Sequence, residues 1–256
     1  MEIVTSTSNP RIKAIRSLHT SKGRRAAGSS LAEGPHVVSA LLRSSVVPTV
    51  LVLSDAPDGT MLDETMPGKA LLDPPHQCDI LFVTPRVLKS MSDTEEPRGP
   101  LAVFQIPALM TIRDRDTVVL HDVSDPGNVG TIVRSAVAFG YDVAVSGSTA
   151  DPWSPKAVRS SAGAIFGAHI ARSEDPVADS RAANLRTVAT VVAGGGVPPR
   201  TGQPTAILIG SEATGLPEAL IDGCDTTMTI PTTPMTESLN AAVAASIAMY
   251  SLGRSA

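Results

Sequence analysis

The second half of the chain alternates short apolar runs with helical segments, and no other sequence feature restricts the fold so strongly. The strand-like runs lie at residues 118–120, 143–145, 188–192 and 206–209. Strands that alternate with helices in this way predict an α/β fold with a parallel sheet covered on both faces. A final alanine-rich helix is predicted over residues 238–252, with Ser238 or Thr236 as its N-cap.

The first half follows a different pattern. Residues 9–45 are predicted to be helical, because Ile12, Ile15 and Leu18 fall at helical spacing and the pattern resumes after a Gly34-Pro35 break. Strand-like runs at 50–53, 80–83 and 101–106 follow. This mixture predicts a small α/β or α+β domain over residues 1–108, a polar linker near 107–116 and a second domain over 117–256.

Composition excludes several classes of function. Aromatic residues make up only 3% of the chain, which argues against a protein that stacks single-stranded bases on many aromatic rings. No apolar run reaches the roughly 18–20 residues of a membrane span, and the N-terminus lacks the apolar core of a signal peptide, so a cytoplasmic protein is expected. Cys78 and Cys224 form no CxxC pair, and neither a metal site nor a disulfide is expected.

Basic residues are concentrated at the N-terminus, although the net charge of the chain is −4. Between residues 1 and 25 a single carboxylate, Glu2, opposes six cations: Arg11, Lys13, Arg16, Lys22, Arg24 and Arg25. A basic arm on an acidic body can bind phosphate locally, since salt screens the distant charges. The same residues would also suit a solvated helical face, and the sequence leaves both interpretations open.

The first of three motifs is HDVSDPGNVGTIVRSAVAFG, residues 121–140. A strand ends in a turn that opens a helix over 129–139, with Asn128 at or near its N-cap and Arg134 six residues later. This arrangement predicts an amide and a guanidinium near the carboxyl end of a parallel strand, where α/β proteins bind ligands. Taken alone, it also fits a capping asparagine and an exposed arginine.

The other two motifs follow later strands. In AILIGSEATGLPEALIDGCD, residues 206–225, Gly210 and Gly215 bracket Glu212, and such glycines allow a ligand to approach the backbone closely. No GK[ST] follows, so no phosphate loop is predicted, and a carboxylate suits a ligand that carries positive charge. In residues 229–252, Ile230-Pro231 closes a strand and Ser238-Leu239-Asn240 opens the last helix.

Together the three motifs resemble those of a known family. Their order and spacing, N-x-G-x-x-x-R, G-S-E-x-x-G-L and I-P…S-L-N-x-x-V-A-x-S-I, are similar to the SpoU family of RNA ribose methyltransferases in the SPOUT superfamily. The segment Pro155-Lys156-x-x-Arg159-x-Ser161-x-Gly163-Ala164 resembles the part usually found between the first two motifs. The pattern SNPRIKAIRSL…LAEGPHVVSALL resembles the ribosomal-protein-like substrate-binding domain that often precedes this catalytic domain.

The resemblance implies a trefoil knot in the catalytic domain, S-adenosylmethionine as cofactor and a homodimer, for which the alanine-rich face of 241–249 is a candidate contact. It implies that the catalytic residues are Arg134, Asn128, Glu212, Ser238 and Asn240. The cofactor-binding residues would be Gly210, Ser211, Gly215, Ile230, Pro231, Ser238 and Leu239, and Gly210→Val is expected to block the cofactor slot while the fold survives. Arg159 joins the basic arm as an RNA-binding residue.

The implied reaction is methyl transfer to a ribose 2′-hydroxyl, with ribosomal RNA as first candidate and transfer RNA as second. A guanidinium is a poor base, with a pKa above about 12. Arg134 would therefore either take the proton with help from an RNA phosphate, or orient the ribose while water takes it. Two rival functions stay open: a catalytically silent RNA-binding or ribosome-assembly factor, and a nucleotide-dependent enzyme that acts on a small molecule.

Overall fold

The computed structural model describes residues 3–54, 78–97, 99–199, 201–233 and 238–253. In chain order the strands are β1 Ile3–Val4, β2 Ser29–Glu33, β3 Pro48–Ser54, β4 Asp79–Val83, β5 Leu101–Gln105, β6 Thr117–His121, β7 Asp142–Ser146, β8 Ile170–Arg172, β9 Arg186–Thr190, β10 Thr205–Ile209 and β11 Thr226–Met228. The helices are α1 Pro10–Ser17, α2 Ser21–Ala27, α3 Pro35–Leu42, α4 Pro85–Met91, α5 Pro126–Phe139, α6 Pro155–Ser160, α7 Pro176–Ala182, α8 Glu218–Gly223 and α9 Ala241–Leu252. No helix in these ranges combines the length and apolarity that a membrane span needs.

The chain forms two compact units. The first comprises Met1–Pro107 and Asp151–Phe166, and the second comprises Ala108–Ala150 and Gly167–Ala256. Segment 151–166 lies in sequence between β7 and β8 of the second unit, yet it packs with the first. The predicted domain 117–256 contains this segment, so the boundaries of the compact units differ there from those predicted.

The first unit is built on a mixed five-stranded sheet in the order β1-β4-β3-β5-β2. Helices α1 and α4 pack against each other on one face, where Ile12, Ile15 and Leu18 are buried at the predicted helical spacing. The helical prediction for residues 9–45 is wrong over residues 29–33, because α2 ends at Gly28 in the left-handed region and β2 follows. Its sequence, SSLAE, lacks β-branched residues, and its antiparallel pairing with β5 holds it extended.

Segment 151–166 completes the opposite face of this sheet. The rings of Trp153 and Phe166 contact the ring of Phe104 edge-on, with centroids 6.0 and 5.2 Å away. Gly163 has φ +85°, and a Cβ there would lie 2.4 Å from the Cβ of Ala40 in α3. The glycine is therefore required both by the backbone conformation and by the close approach of α3.

A buried ion pair fastens this segment to α2. Arg24 is 4% exposed, and its guanidinium donates to Asp151 at 2.7 and 2.9 Å. The same group donates to the carbonyls of Leu18 and His19, each at 3.1 Å. A buried guanidinium with four hydrogen bonds stabilises the fold, and its side chain is withdrawn from the surface.

The second unit confirms the predicted parallel sheet. Its six strands lie in the order β11-β9-β10-β6-β7-β8, and every neighbouring pair is parallel. The carboxyl ends of all six strands therefore lie at one edge, and the loops of the three motifs extend from that edge. The predicted linker is anchored to this unit, since Arg113 donates to both carboxylate oxygens of Asp142 and Asp116 accepts from the amide of Thr205.

Two predicted helix starts are wrong by a few residues. The N-cap of α5 is Asp125, whose side chain accepts from the backbone amides of Gly127 and Asn128, so Asn128 stands inside the first turn. The N-cap of α9 is Asn240 rather than Ser238, and Thr236 lies outside the described residues. In both helices a carboxylate or amide oxygen satisfies the free amides of the first turn.

The adjacent arginines of α2 allow the ion pair to be tested. Arg24→Ala is expected to lower the free energy of unfolding by roughly 2–4 kcal/mol, because it removes four hydrogen bonds and leaves Asp151 without its cation. Arg25→Ala, at an exposed position of the same helix, should change it by less than about 0.5 kcal/mol. Urea unfolding of both variants checks this, and equal losses would contradict the structural role of Arg24.

Candidate active site

A chain of hydrogen bonds joins one residue from each of the three motifs. The side-chain amide of Asn128 donates to Oε1 of Glu212, which is 84 residues away in sequence. The amide of Asn240 donates to Oδ1 of Asn128 at 3.1 Å, across 112 residues. Both hydrogen-bonding groups of the Asn128 side chain are therefore engaged, and its orientation is fixed.

The helices hold this network in place from both sides. Oδ1 of Asn240 caps α9 by accepting from the amides of Ala242 and Val243, at 2.9 and 3.3 Å. Helix α9 packs along α5, and the hydroxyl of Ser246 donates to the hydroxyl of Ser135 at 2.8 Å. The capping residue of one helix therefore bonds a residue in the first turn of its neighbour.

A cavity of about 410 Å³ opens beside Glu212. Its walls come from the loops after β9, β10 and β11 and from the start of α9, and the lining residues are Thr190, Val191, Val192, Ile209, Gly210, Ser211, Glu212, Ala213, Thr214, Gly215, Met228, Ile230, Thr232, Ser238, Leu239, Ala241 and Ala244. The volume is that of a small-molecule pocket. Among the described lining residues only Glu212 is charged. The cavity therefore favours a largely apolar ligand that carries one positively charged group, and it disfavours a phosphate.

Gly210 is required by the chain itself. A Cβ at this position would lie 2.2 Å from the carbonyl carbon of Gly215 and 2.4 Å from the amide of Leu216. The loop closes on itself here, with Ser211 bridged to Gly215. The expectation that Gly210→Val spares the fold is therefore wrong, because the added atoms meet backbone before they meet a ligand.

Most of the predicted cofactor-binding residues line the cavity. Gly210, Ser211, Gly215, Ile230, Ser238 and Leu239 do so, and Pro231 is exposed and lies outside the lining. Val191 and Val192, in the loop after β9, also line the cavity but were not predicted, because residues 188–192 were predicted as a strand that in fact ends at Thr190. Ala244 lines the cavity as well, and it was not predicted because it was assigned to a packing face.

Arg134 stands apart from both the network and the cavity lining. It is exposed on α5, and within the described residues it forms no hydrogen bond or ion pair. It shares the exposed side of that helix with Val137, which follows three residues later and is 40% exposed. Its catalytic role stays a prediction.

The predicted RNA-binding residues divide into three groups. Arg24 is buried in its ion pair with Asp151, and we remove it from the predicted RNA contacts. Arg11 pairs with Asp79 at 3.0 Å and Arg159 with Glu33 at 3.3 Å. The remaining four are exposed and, within the described residues, have no ion pair: Lys13, Arg16, Lys22 and Arg25.

Comparisons with known proteins match both parts of the chain. Residues 116–250 match the model of the SpoU rRNA Methylase family, and residues 9–102 match the MRM3-like substrate binding domain. The chain is 32% identical over 259 residues to the 23S rRNA (guanosine(2553)-2'-O)-methyltransferase RlmP of Bacillus subtilis (strain 168), covering 98% of this chain and 99% of that one.

Solved structures extend the match to the fold. An AdoMet-bound rRNA methyltransferase from Sinorhizobium meliloti superposes with a TM-score of 0.84 at 30% identity, covering 98% of this chain and 96% of that one. The SpoU methyltransferase AviRb from Streptomyces viridochromogenes, in complex with AdoMet, gives 0.81 at 29%, covering 95% and 96%. These matches confirm the family resemblance that the three motifs indicated. The chain belongs to the SpoU family of RNA methyltransferases.

Proposed function

We propose that this chain transfers the methyl group of S-adenosylmethionine to a ribose 2′-oxygen of structured RNA, with large-subunit ribosomal RNA as first candidate and transfer RNA as second. One observation carries the proposal: Asn128, Glu212 and Asn240, taken from three distant motifs, meet in one hydrogen-bonded network beside a small-molecule cavity. The relatives whose names describe rRNA methyltransferases cover nearly the whole chain. Ribosomal RNA is made and modified in the cytoplasm of bacteria, so the proposal includes a cytoplasmic location.

The residues of the chain contribute by holding the cofactor and by aligning the site around it. The backbone of the loop 210–215 and the side chains of Ile230 and Leu239 would hold the cofactor, with the carboxylate of Glu212 favouring its positive charge. S-adenosylmethionine, when bound, supplies a methyl group on a positively charged sulfonium. Asn128, fixed from both sides, would keep the loop of the first motif at a constant distance from the cavity, and such alignment supplies much of the rate in a transfer of this kind.

The proposal includes the domain roles and the topology. Residues 1–108 would form a ribosomal-protein-like RNA substrate-binding domain, and residues 117–256 a catalytic domain with a trefoil knot. The match of residues 9–102 to a substrate-binding domain supports the first role, and family membership supports the knot.

The proposal also includes a homodimer. Four of the five alanines of α9 are buried within the chain itself and Ala244 lines the cavity, so the candidate contact 241–249 is replaced by the apolar side chains that α5 and α9 leave exposed. These are Val137, Phe139, Val243, Ile247 and Tyr250, which are 37–71% exposed, with the rings of Phe139 and Tyr250 6.1 Å apart. Exposed apolar groups on two packed helices are typical of an interface, and pairing through them would bring the surroundings of Arg134 to that interface.

Cofactor binding separates the enzyme from a silent RNA-binding factor. By titration calorimetry the parent should bind S-adenosylmethionine, and Ala244→Leu should weaken binding at least about tenfold, because the larger side chain enters the cavity. Ala182→Leu, at an exposed position at the end of α7, should bind as the parent does. A parent that binds RNA without any affinity for the cofactor would be a silent factor, and an unaffected Ala244→Leu variant would place the site elsewhere.

Arg134 is expected to act in the reaction and not in cofactor binding. Arg134→Ala should lower single-turnover methyl transfer by on the order of 100-fold or more and leave cofactor affinity nearly unchanged. Arg134→Lys keeps the charge but loses the planar fork, so a role in bidentate phosphate alignment predicts a large loss there too. Arg115→Ala, at a 56% exposed arginine of the same unit, is the control. An Arg134→Ala protein that methylates RNA at the parental rate would contradict the proposed role of Arg134 in the reaction.

The oligomeric state follows from the same helices. The parent should sediment as a dimer at micromolar concentration, and Ile247→Glu with Tyr250→Glu should give a monomer, because two charges are placed on the apolar patch. Ala182→Glu should remain dimeric. A parent that sediments as a monomer, or a dimer that survives both charges, would contradict pairing through this patch.

A further inference from the structure

Two neighbouring helices of the first unit expose only positive charge. Helix α1 carries Arg11, Lys13 and Arg16, and helix α4 carries Arg86 and Lys89. Neither helix contains an aspartate or a glutamate. We call the exposed sides of α1 and α4, with these five cations, the basic two-helix face.

The packing of the two helices makes this face continuous. Both helices bury their apolar residues in the same core, through Ile12 and Ile15 of α1 and Val87, Leu88 and Met91 of α4. They contact each other directly, and packed helices lie about 8–10 Å apart. On each helix two cations stand three residues apart, which places their Cβ atoms about 5–6 Å from each other.

Four of the five cations have no partner among the described residues. Lys13, Arg16, Arg86 and Lys89 are exposed and form neither an ion pair nor a hydrogen bond there. Arg11 pairs with Asp79 at 3.0 Å, and at the ends of the two helices Asp93 pairs with His19 at 2.7 Å. These carboxylates are held by other groups, so the four cations remain available to an anionic partner.

Helix α3, on the opposite side of the sheet, lacks this character. Helix α3 contacts segment 151–166 on that side, and its eight residues, PHVVSALL, include no lysine, arginine or carboxylate. The two basic residues of that segment, Lys156 and Arg159, both have interaction partners, and Arg159 pairs with Glu33 at 3.3 Å. Like charges three residues apart destabilise an isolated helix slightly, and a partner of opposite charge relieves that repulsion.

We propose that the basic two-helix face binds the phosphate backbone of the substrate RNA, with Arg86 and Lys89 as contacts alongside Lys13 and Arg16. This rests on the proposed function, and it extends the RNA-binding surface beyond the N-terminal arm. A nucleic acid strand presents closely and regularly repeated negative charges, which match cations spaced along two adjacent helices. Contacts of this kind orient the RNA without reading its sequence.

The test compares single charge reversals on opposite sides of the same sheet. Arg86→Glu and Lys89→Glu change the basic two-helix face, and Arg43→Glu makes the same change of charge at an exposed arginine that follows α3. Binding to deproteinised large-subunit ribosomal RNA is measured over a series of salt concentrations, with S-adenosylmethionine affinity measured in parallel. All three positions are exposed, and thermal unfolding checks that each variant is folded.

Arg86→Glu and Lys89→Glu should each weaken RNA binding by roughly tenfold at low salt, and should reduce the slope of log affinity against log salt by about one. Arg43→Glu should bind within about twofold of the parent, and cofactor affinity should be unchanged in all three. The proposal is overturned if the reversals on α4 bind RNA as the parent does, or if Arg43→Glu weakens binding equally. A parent that binds polyglutamate as tightly as RNA would make the partner an acidic protein and would overturn it too.

The two proposals fail separately. If the parent methylates RNA and the α4 variants bind RNA normally, the proposed methyltransferase function is supported and RNA binding by the basic two-helix face is contradicted. If the parent binds RNA through this face but methylates none, RNA binding by the face is supported and the methyltransferase function is contradicted. A parent without affinity for RNA would overturn both proposals.

Discussion

The site depends on the two hydrogen bonds that run from Glu212 through Asn128 to Asn240. Glu212 lies in the loop after β10, Asn128 in the first turn of the helix after β6, and Asn240 at the start of the helix after β11. The three are brought together because parallel strands end at one edge of the sheet. Asn240 also caps α9, so the network and the helix start are a single structural feature. An asparagine suits the middle position because its side chain donates and accepts at once, whereas an aspartate would face Glu212 with a like charge.

The features that could be predicted from the sequence are those determined by residues close together in the chain. The burial of Ile12, Ile15 and Leu18 follows from helical periodicity, and the parallel sheet follows from the alternation of strands and helices. Strand β2 was missed because its extended conformation depends on pairing with β5, about seventy residues later in the chain. The roles of Asp125 and Asn240 as N-caps were missed because several nearby side chains could have served.

The residues of the site could be predicted from the sequence, whereas their arrangement in space could be seen only in the folded structure. Motif order identified Gly210, Glu212 and Leu239, all of which line the cavity. Spacing could not reveal that a Cβ at Gly210 would meet Gly215, because that contact arises from the path of the loop. In the same way, charge alone placed Arg24 among the RNA contacts, and its ion pair with Asp151 became visible only when segment 151–166 was found within the first unit.

Mass spectrometry of RNA nucleosides shows whether this chain transfers a methyl group to a ribose 2′-oxygen. Ribosomal and transfer RNA from cells with and without this protein would be digested and compared for 2′-O-methylated nucleosides, with purified protein and S-adenosylmethionine added back to the unmodified RNA. We expect one ribose-methylated nucleotide that is lost from large-subunit ribosomal RNA without the protein and restored by its addition. Unchanged ribose methylation in both RNA classes, or a restored methyl group on a base instead of a ribose, would contradict it.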